Sequence, residues 1–322
     1  MSRGNARAVV ALGGNALQPR GGDGSWAASA QQLRRGVPAL VEIVAAGASL
    51  VLTHGNGPQV GRLLEREDRR PLGEPGLPLD ALVAESEGQL GLLIAQELTP
   101  ALSAAGQPRI VLPIVSRIEV DPKDPAFRRP DKPVGRFYAE DEARVLRKRR
   151  GWTMGFDEAR RGWRRLIPSP RPIRWLEAEA VRRALARAWA GRVIPIVAGG
   201  GGVPVVRNRR GGFDGVEAVI DKDLASSIVA TALGASTLAI VTDVPGVAIG
   251  FGRPWEAWLK EVRGTQLEAA LRLGEFGAGS MRPKVEAALS FLNAGGRRAI
   301  VTDLPSLARA WEGDAGTQIL AD

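Results

Sequence analysis

Short apolar runs that end in a glycine turn and give way to a helical pattern recur along this chain, and that alternation constrains its fold most tightly. AVVAL (8–12) runs into Gly13-Gly14-Asn15, SLVLT (49–53) into His54-Gly55-Asn56-Gly57-Pro58, and RVIPIVA (192–198) into four glycines at 199–202. RIVLPIV (109–115), STLAIVT (236–242) and RAIVT (298–302) share the continuous apolar character. Strands that are apolar on both faces and separated by helices specify a mostly parallel sheet covered on both sides. Right-handed crossovers then gather the loops that follow the strands along one sheet edge. The expected fold class is α/β, a three-layer αβα sandwich around an open, mostly parallel sheet.

The helices between these runs are legible in part. Ser25 is placed to cap a helix reaching about residue 46, kinked by Pro38. Further helices are expected from about Gln59, over 79–104, over about 175–190, from VIDKD (219–223) to Leu233, and from near Ser280 to Gly295-Gly296. The longest uncharged apolar stretch, 193–206, is broken by four glycines and is too short to span a bilayer. Arg3 and Arg7 before AVVAL imitate a secretion signal, but the run stops at Gly13 without a cleavage-like site. The chain reads as a soluble, cytoplasmic protein.

Composition removes several chemistries. There is no cysteine, so there is no thiolate nucleophile, disulfide or thiolate metal site. A single histidine, His54, excludes a cluster of imidazole ligands and leaves little room for a Ser-His-Asp triad. Set between a strand and a glycine turn, His54 reads as a loop-holding side chain rather than an acid or base. Only six of the 44 basic residues are lysine. Three of these, Lys132, Lys222 and Lys284, lie in glycine- or proline-rich or acidic settings: DKPVG, VIDKD and GAGSMRPK. An ammonium is a compact point charge and a guanidinium a broad fork, so a lysine kept in an arginine-biased chain marks a place where compactness matters.

Charge is unevenly spread. The net charge is +9, and residues 117–174 hold 17 basic and 9 acidic residues while the remainder is nearly neutral. With its prolines and its RKRR (147–150) and RRGWRR (160–165) clusters, this segment reads as a basic subdomain inserted in a single domain spanning 1–322. A solvated basic surface and the steering of a small anionic ligand are the favoured readings. No recognised nucleic-acid module accompanies the charge.

Three glycine loops on one sheet edge, with lysines nearby, point to a phosphate. Glycine lets main-chain N–H groups approach a ligand closely, and N–H groups at helix starts favour anions. The phosphate loop GxxxxGK[ST] is absent, and GNGPQVG is not the dinucleotide pattern GxGxxG. Phosphoryl transfer needs positioning and cations around the moving group rather than a nucleophile from the protein. Lys222, between Asp221 and Asp223 at a helix start, suits that chemistry, although acids at a helix N-terminus are also ordinary dipole partners.

These segments resemble carbamate kinase, within the amino acid kinase superfamily. ALGGNAL, THGNGPQVG, PLDALVAESEG, DPKDPAFRRPDKPVGRFY, RGWRRLIPSPRPI, AGGGGVPVV, GVEAVIDKDLAS, VTDVPGV and FGAGSMRPKVEAALSFL follow that family's order and spacing from about residue 8 to 303. The resemblance implies an eight-stranded, largely parallel sheet, a subdomain protruding over the active site, and a homodimer. It implies the reaction ATP + carbamate ⇌ ADP + carbamoyl phosphate, often run toward ATP. By position, Gly13, Gly14 and Asn15 would bind the transferring phosphoryl group and its acceptor, with Gly55, Asn56, Gly57, Gly200 and Gly201 as further phosphate- or substrate-binding positions. Lys132 would reach the phosphates from the subdomain. Lys222 would stabilise the transferring group with Asp223 as the organising carboxylate, and Lys284 would contact the nucleotide phosphates. Thr242, Asp243, Val244 and Met281 would border the nucleotide. Mg²⁺ would be held by the nucleotide phosphates and water rather than by protein ligands.

The chain departs from the pattern at four places. Glu87 stands where the family usually has Gln, Arg136 where it has Pro, Arg160 where it has Gly, and Arg282 where a small or apolar residue is common. Glu87 and Arg136 motivate a second reading, a diverged kinase of another small carboxylate, and a third reading is a nucleotide- or nucleic-acid-binding regulator that keeps the fold without turnover.

Overall fold

A computed structural model describes residues 6–18, 24–71, 74–158, 161–187, 189–277 and 281–322, apart from the side chains of Asn15 and Ala16. Its centre is an eight-stranded sheet of β1 (Arg7–Leu12), β2 (Ser49–His54), β3 (Ile110–Pro113), β9 (Val193–Ile196), β12 (Thr237–Thr242), β15 (Glu261–Arg263), β16 (Arg298–Asp303) and β17 (Thr317–Leu320). The spatial order is β15-β17-β16-β12-β1-β2-β9-β3. Every pairing is parallel except β16 with β17.

Alternate residues of these strands feed two separate cores, as the two-residue period of a strand requires. Val9, Val51, Leu238, Ile240 and Val301 pack with Val181 and Leu185 of α7 (Ala178–Ala186) and Ala225 and Val229 of α8 (Lys222–Ala232). The same core takes Leu267 of α9 (Gly264–Arg272) and Val285 and Leu289 of α10 (Met281–Asn293). Val10, Leu12, Leu50, Leu52, Ala239 and Val241 face the other way. They meet Leu33 of α2 (Trp26–Arg34), Leu40 and Ile43 of α3 (Val37–Ala45), Leu90 and Ile94 of α5 (Leu79–Ala104), and Leu307 of α11 (Leu307–Glu312). The expected three-layer αβα sandwich is therefore the observed fold.

Smaller sheets lie beside the large one. β4 (Arg117–Val120), β8 (Pro172–Trp175), β10 (Val203–Arg207) and β11 (Phe213–Gly215) form one in the order β11-β10-β4-β8. β5 (Lys132–Tyr138), β6 (Thr153–Asp157) and β7 (Gly162–Ile167) form another, in the order β5-β7-β6, next to α6 (Glu140–Arg150). A two-stranded ribbon joins β13 (Ala248–Ile249) to β14 (Ala257–Trp258). Segment 117–174 thus contributes its two ends, β4 and β8, to a sheet shared with 203–215. Its middle is the small antiparallel sheet that carries Lys132.

The sequence pattern leaves several elements unread, among them β15, β17, α6, α9 and α11, and it misplaces one helix. The helix capped by Ser25, whose Oγ accepts the Ala28 N–H at 3.1 Å, ends at Arg34 rather than running through a kink at Pro38. Pro38 sits instead in the first turn of α3, where its missing N–H costs nothing. β17 went unread because its four residues mix polar and apolar types and it runs antiparallel at the sheet's far side. No helix among the described residues is long and apolar enough to cross a membrane.

Candidate active site

Register brings the loops together. Leu12 pairs with His54, Ala11 with Ile240 and Leu52 with Ile196, so β1, β2, β9 and β12 end along one edge. Gly13 lies against the Val241 carbonyl at the end of β12. α1 (Gly14–Leu17) and α4 (Gly57–Asp68) start directly from these loops. Gly55 approaches so closely that a Cβ there would be 3.0 Å from the Gly14 nitrogen and 3.2 Å from Cδ of Lys222. Any larger residue would push apart the two loops and the lysine. Gly57 is exposed at the start of α4. The Asn15 side chain, Arg160 and residues 278–280 lie outside the described residues.

The turn after β9 closes the other side. Gly200 packs on the side-chain amide of Asn56, which in turn donates to Ser86 Oγ at 2.8 Å. Gly201 has φ +100°, and a Cβ there would be 2.5 Å from the Ile220 carbonyl oxygen. Both the left-handed backbone and the close approach demand glycine. That same Ile220 carbonyl accepts a hydrogen bond from Lys132 Nζ at 3.1 Å, and Asp221 Oδ2 lies 3.8 Å from this ammonium. Lys132 therefore spans from β5 to the residues that lead into α8.

α8 places the central charges. Asp221 caps it, its Oδ1 accepting the Asp223 N–H at 2.9 Å. Ser226 Oγ donates to the Lys222 carbonyl at 2.6 Å and lies 2.6 Å from Thr53 Oγ1 of β2, tying the helix to the sheet. Asp223, only 2% exposed, holds two ammonium groups, Lys222 Nζ on Oδ1 at 2.5 Å and Lys284 Nζ on Oδ2 at 2.9 Å. Burial alone would raise the Asp223 pKa, but Lys222 and Lys284 outweigh it and hold the group at about 2. For Lys222 the balance runs the other way. Burial lowers its pKa, and the Asp223 carboxylate opposes that loss.

Beyond Lys284 a cavity of about 330 Å³ continues past Thr242, Asp243, Val244 and Met281. These four are the positions that the family resemblance implies at the nucleotide. The structure adds Phe251, Trp258, Glu275 and Phe276 to the wall. Phe251 and Trp258 meet edge-to-face with ring centroids 6.2 Å apart. The signal for them was GFGRPWEAW (250–258), three aromatic residues in a chain that is only 5% aromatic. A site with a cationic end and an aromatic-walled end suits a ligand with phosphates at one end and a flat ring at the other.

The remaining flagged residues fall elsewhere. His54 is fully buried, with Nδ1 on the Gly55 carbonyl at 3.2 Å, and burial pulls its pKa down to about 4. It is a neutral brace for the loop. Arg136 pairs with Glu142 and lies 4.3 Å over the Tyr138 ring, and Arg282 pairs with Glu286 at 2.8 Å. Glu87 is buried and accepts the N–H groups of Gly199 at 2.7 Å and Ser116 at 3.1 Å.

With this geometry in place, the similarities to known proteins are specific. A model of the amino acid kinase family matches residues 6–303. The chain is 45% identical over 315 residues to a carbamate kinase of Pyrococcus horikoshii, covering 97% of this chain and 98% of that one. It is 40% identical over 316 residues to a carbamate kinase of Trichomonas vaginalis, covering 98% and 99%. A solved carbamate kinase from Giardia lamblia bound to AMP-PNP superposes with a TM-score of 0.89 at 36% identity, over 99% of each chain.

Proposed function

This chain belongs to the amino acid kinase family, and we propose that its lysine–aspartate cluster moves a phosphoryl group between ATP and carbamate. It is a phosphotransferase whose products in one direction are ADP and carbamoyl phosphate. The observation that carries the reading is the Asp223 carboxylate with one ammonium on each oxygen, beside three glycine loops at one sheet edge.

The reaction needs no base from the protein. Toward ATP, an anionic oxygen of the ADP β-phosphate attacks phosphorus, the bond from phosphorus to the carbamoyl oxygen breaks, and carbamate leaves with that electron pair. Both nucleophile and leaving group are oxyanions, so no proton moves. What the step requires is positive charge around the equatorial oxygens and fixed alignment. Lys222 and Lys284 supply the charge. Asp223 positions both lysines and opposes the loss of charge that burial imposes on Lys222.

The remaining roles follow from position. Main-chain N–H groups of Gly13, Gly14 and Gly200 line the phosphoryl and acceptor end, while Gly55, whose N–H is held by the Leu12 carbonyl at 2.9 Å, lets the loops and Lys222 approach one another. Asn15, Asn56, Gly57 and Gly201 complete those loops, and Lys132 closes over the phosphates from the basic segment 117–174, read as an inserted subdomain. Thr242, Asp243, Val244 and Met281 border the nucleotide. Asp223 is fully engaged by its two lysines, and no three acidic or histidine side chains among the described residues converge on one point. A Mg²⁺ would therefore ride on the nucleotide's own phosphates, lowering their charge for transfer. The reading includes a homodimer in the cytoplasm, and light scattering on the purified protein tests the first of these.

Purified protein mixed with Mg²⁺, ADP and carbamoyl phosphate should form ATP well above the rate of spontaneous carbamoyl phosphate decay. ATP production no faster than that control rejects the reading. Arg136 and Arg282 are already paired with neighbouring glutamates, so neither supplies an extra charge that favours a different carboxylate.

A further inference from the structure

We propose that Glu87 is a positioning residue for this phosphoryl transfer: its buried carboxyl group locks the glycine turn 199–202 to the point where the chain leaves β3 for segment 117–174. The inference deepens the phosphotransferase reading and rests on it.

Glu87 projects from α5 and is 3% exposed. Its two oxygens take main-chain N–H groups from two segments far apart in sequence, Oε1 from Gly199 at 2.7 Å and Oε2 from Ser116 at 3.1 Å. A second set of bonds reinforces the same junction. The Ser116 hydroxyl donates to the Ile114 carbonyl at 3.0 Å and accepts the Ala198 N–H at 2.9 Å. Next along the chain, the Arg117 N–H goes to Glu177 Oε2 at 2.9 Å. Three successive polar groups, at 116 and 117, are thus consumed in anchoring one backbone crossing.

The consequences reach the site through contacts already described. Gly199 begins the turn whose Gly200 rests on Asn56 and whose Gly201 abuts the Ile220 carbonyl, the acceptor of Lys132. The other anchored segment leads into β4 and on to the strand carrying Lys132. One carboxyl group therefore sets the two elements between which Lys132 is placed. Nucleotide-pocket residues such as Thr242 and Phe251 have no part in this network. The effect of losing it falls on the acceptor end.

The charged and titratable groups facing Glu87 are few. Glu177 acts on it from the turn before α7, and the imidazole of His54 lies across Gly199 with Nε2 unpartnered. Burial, opposed by the two backbone N–H groups, pushes the Glu87 pKa up to about 8. A carboxylate is the stronger acceptor for two N–H groups, so the clamp tightens as pH rises through that value.

Glu87→Gln keeps the shape but offers one acceptor oxygen to two donors. The variant should raise KM for carbamoyl phosphate about fivefold, the scale of one lost buried hydrogen bond, with KM for ADP unchanged. Wild-type kcat/KM for carbamoyl phosphate should rise with pH through about 8, and the variant should lose that rise. Ser116→Ala, which loosens the junction from its other side, should also raise KM for carbamoyl phosphate. Amide hydrogen exchange at Gly199 and Ser116 should quicken in Glu87→Gln. Equal KM changes for both substrates, a pH profile that survives the substitution, or unchanged exchange at both amides each overturn the proposal. If the wild type makes no ATP, the phosphotransferase reading has failed, and the exchange measurement still decides the clamp by itself.

Discussion

Asp223 and Glu87 are carboxylates buried almost equally, 2% and 3% exposed, yet their surroundings drive them in opposite directions. Asp223 meets two ammonium groups and is held at about 2, while Glu87, desolvated and answered by backbone N–H dipoles with the Glu177 carboxylate adding to the rise, goes up to about 8. Desolvation acts on both. The difference is whether full charges or dipoles answer it. The contrast separates two uses of a buried acid. One organises a pair of cations, which we propose face the moving phosphoryl group, and the other organises backbone.

The largest effect should come from the ionic side of this contrast. Lys222→Ala and Lys284→Ala should each cut turnover by roughly 10²–10³, as removal of a preorganised transition-state donor does, with the circular dichroism spectrum retained. Asp223→Asn should lose at least as much and should also destabilise the fold by about 3–5 kcal/mol, because two buried ammonium groups lose their counter-ion. Steady-state kinetics beside urea denaturation measure both. Wild-type turnover in Lys222→Ala would remove that residue from the mechanism.

A pH series separates the two acids without assaying activity. The Asp223 pKa is depressed below its ordinary 3.8 in the folded state, so its contribution to stability is complete above about pH 4 and is lost as pH falls toward 2. The Glu87 pKa is raised from 4.5, so its contribution is complete below about pH 4.5 and drains away as pH climbs toward 8. Urea midpoints should therefore fall on the acid side in a manner abolished by Asp223→Asn, and on the neutral side in a manner flattened by Glu87→Gln. A neutral-side slope that persists in Glu87→Gln would place the titrating group elsewhere.

The two sites also differ in how far the sequence disclosed them. Lys222, Asp223, Lys284 and the glycine loops were legible because each reports a local demand: a compact cation in an arginine-rich chain, an acid at a helix start, a backbone approach that excludes Cβ. Parallel strands with glycine-rich ends then implied that the loops share an edge, and the register of Leu12 with His54 shows that edge. The Glu87 clamp was not legible in the same way. Its partners are 29 and 112 positions away, and main-chain donors leave no mark on residue identity. Phe251 and Trp258 are not legible because a ribbon of two-residue strands brings them to the pocket wall, and elements that short carry no periodic signal. The single helix expected through Pro38 is really two, since the chain breaks before the proline and restarts with it in the first turn.

The smallest expected effect concerns the arginines that linear position set near the site. Arg282 lies two residues before Lys284, but its guanidinium turns along α10 to Glu286, which also takes Arg171 at 3.2 Å. Arg136 follows Lys132 on β5 yet pairs with Glu142 and covers Tyr138. Both side chains are about half exposed, where water screens an ion pair and typical contributions are about 0–1 kcal/mol. Arg136→Ala and Arg282→Ala should therefore leave kcat and both KM values within about twofold of wild type, and added salt should shrink even that. Burial and pairing decide which charges reach a ligand: Lys222 and Lys284 are enclosed with one shared carboxylate, whereas these arginines are spent on their own helix and sheet surfaces. A tenfold rise in KM for carbamoyl phosphate in Arg282→Ala would break that distinction, because it would mean that a solvent-facing, already paired cation still acts on the substrate.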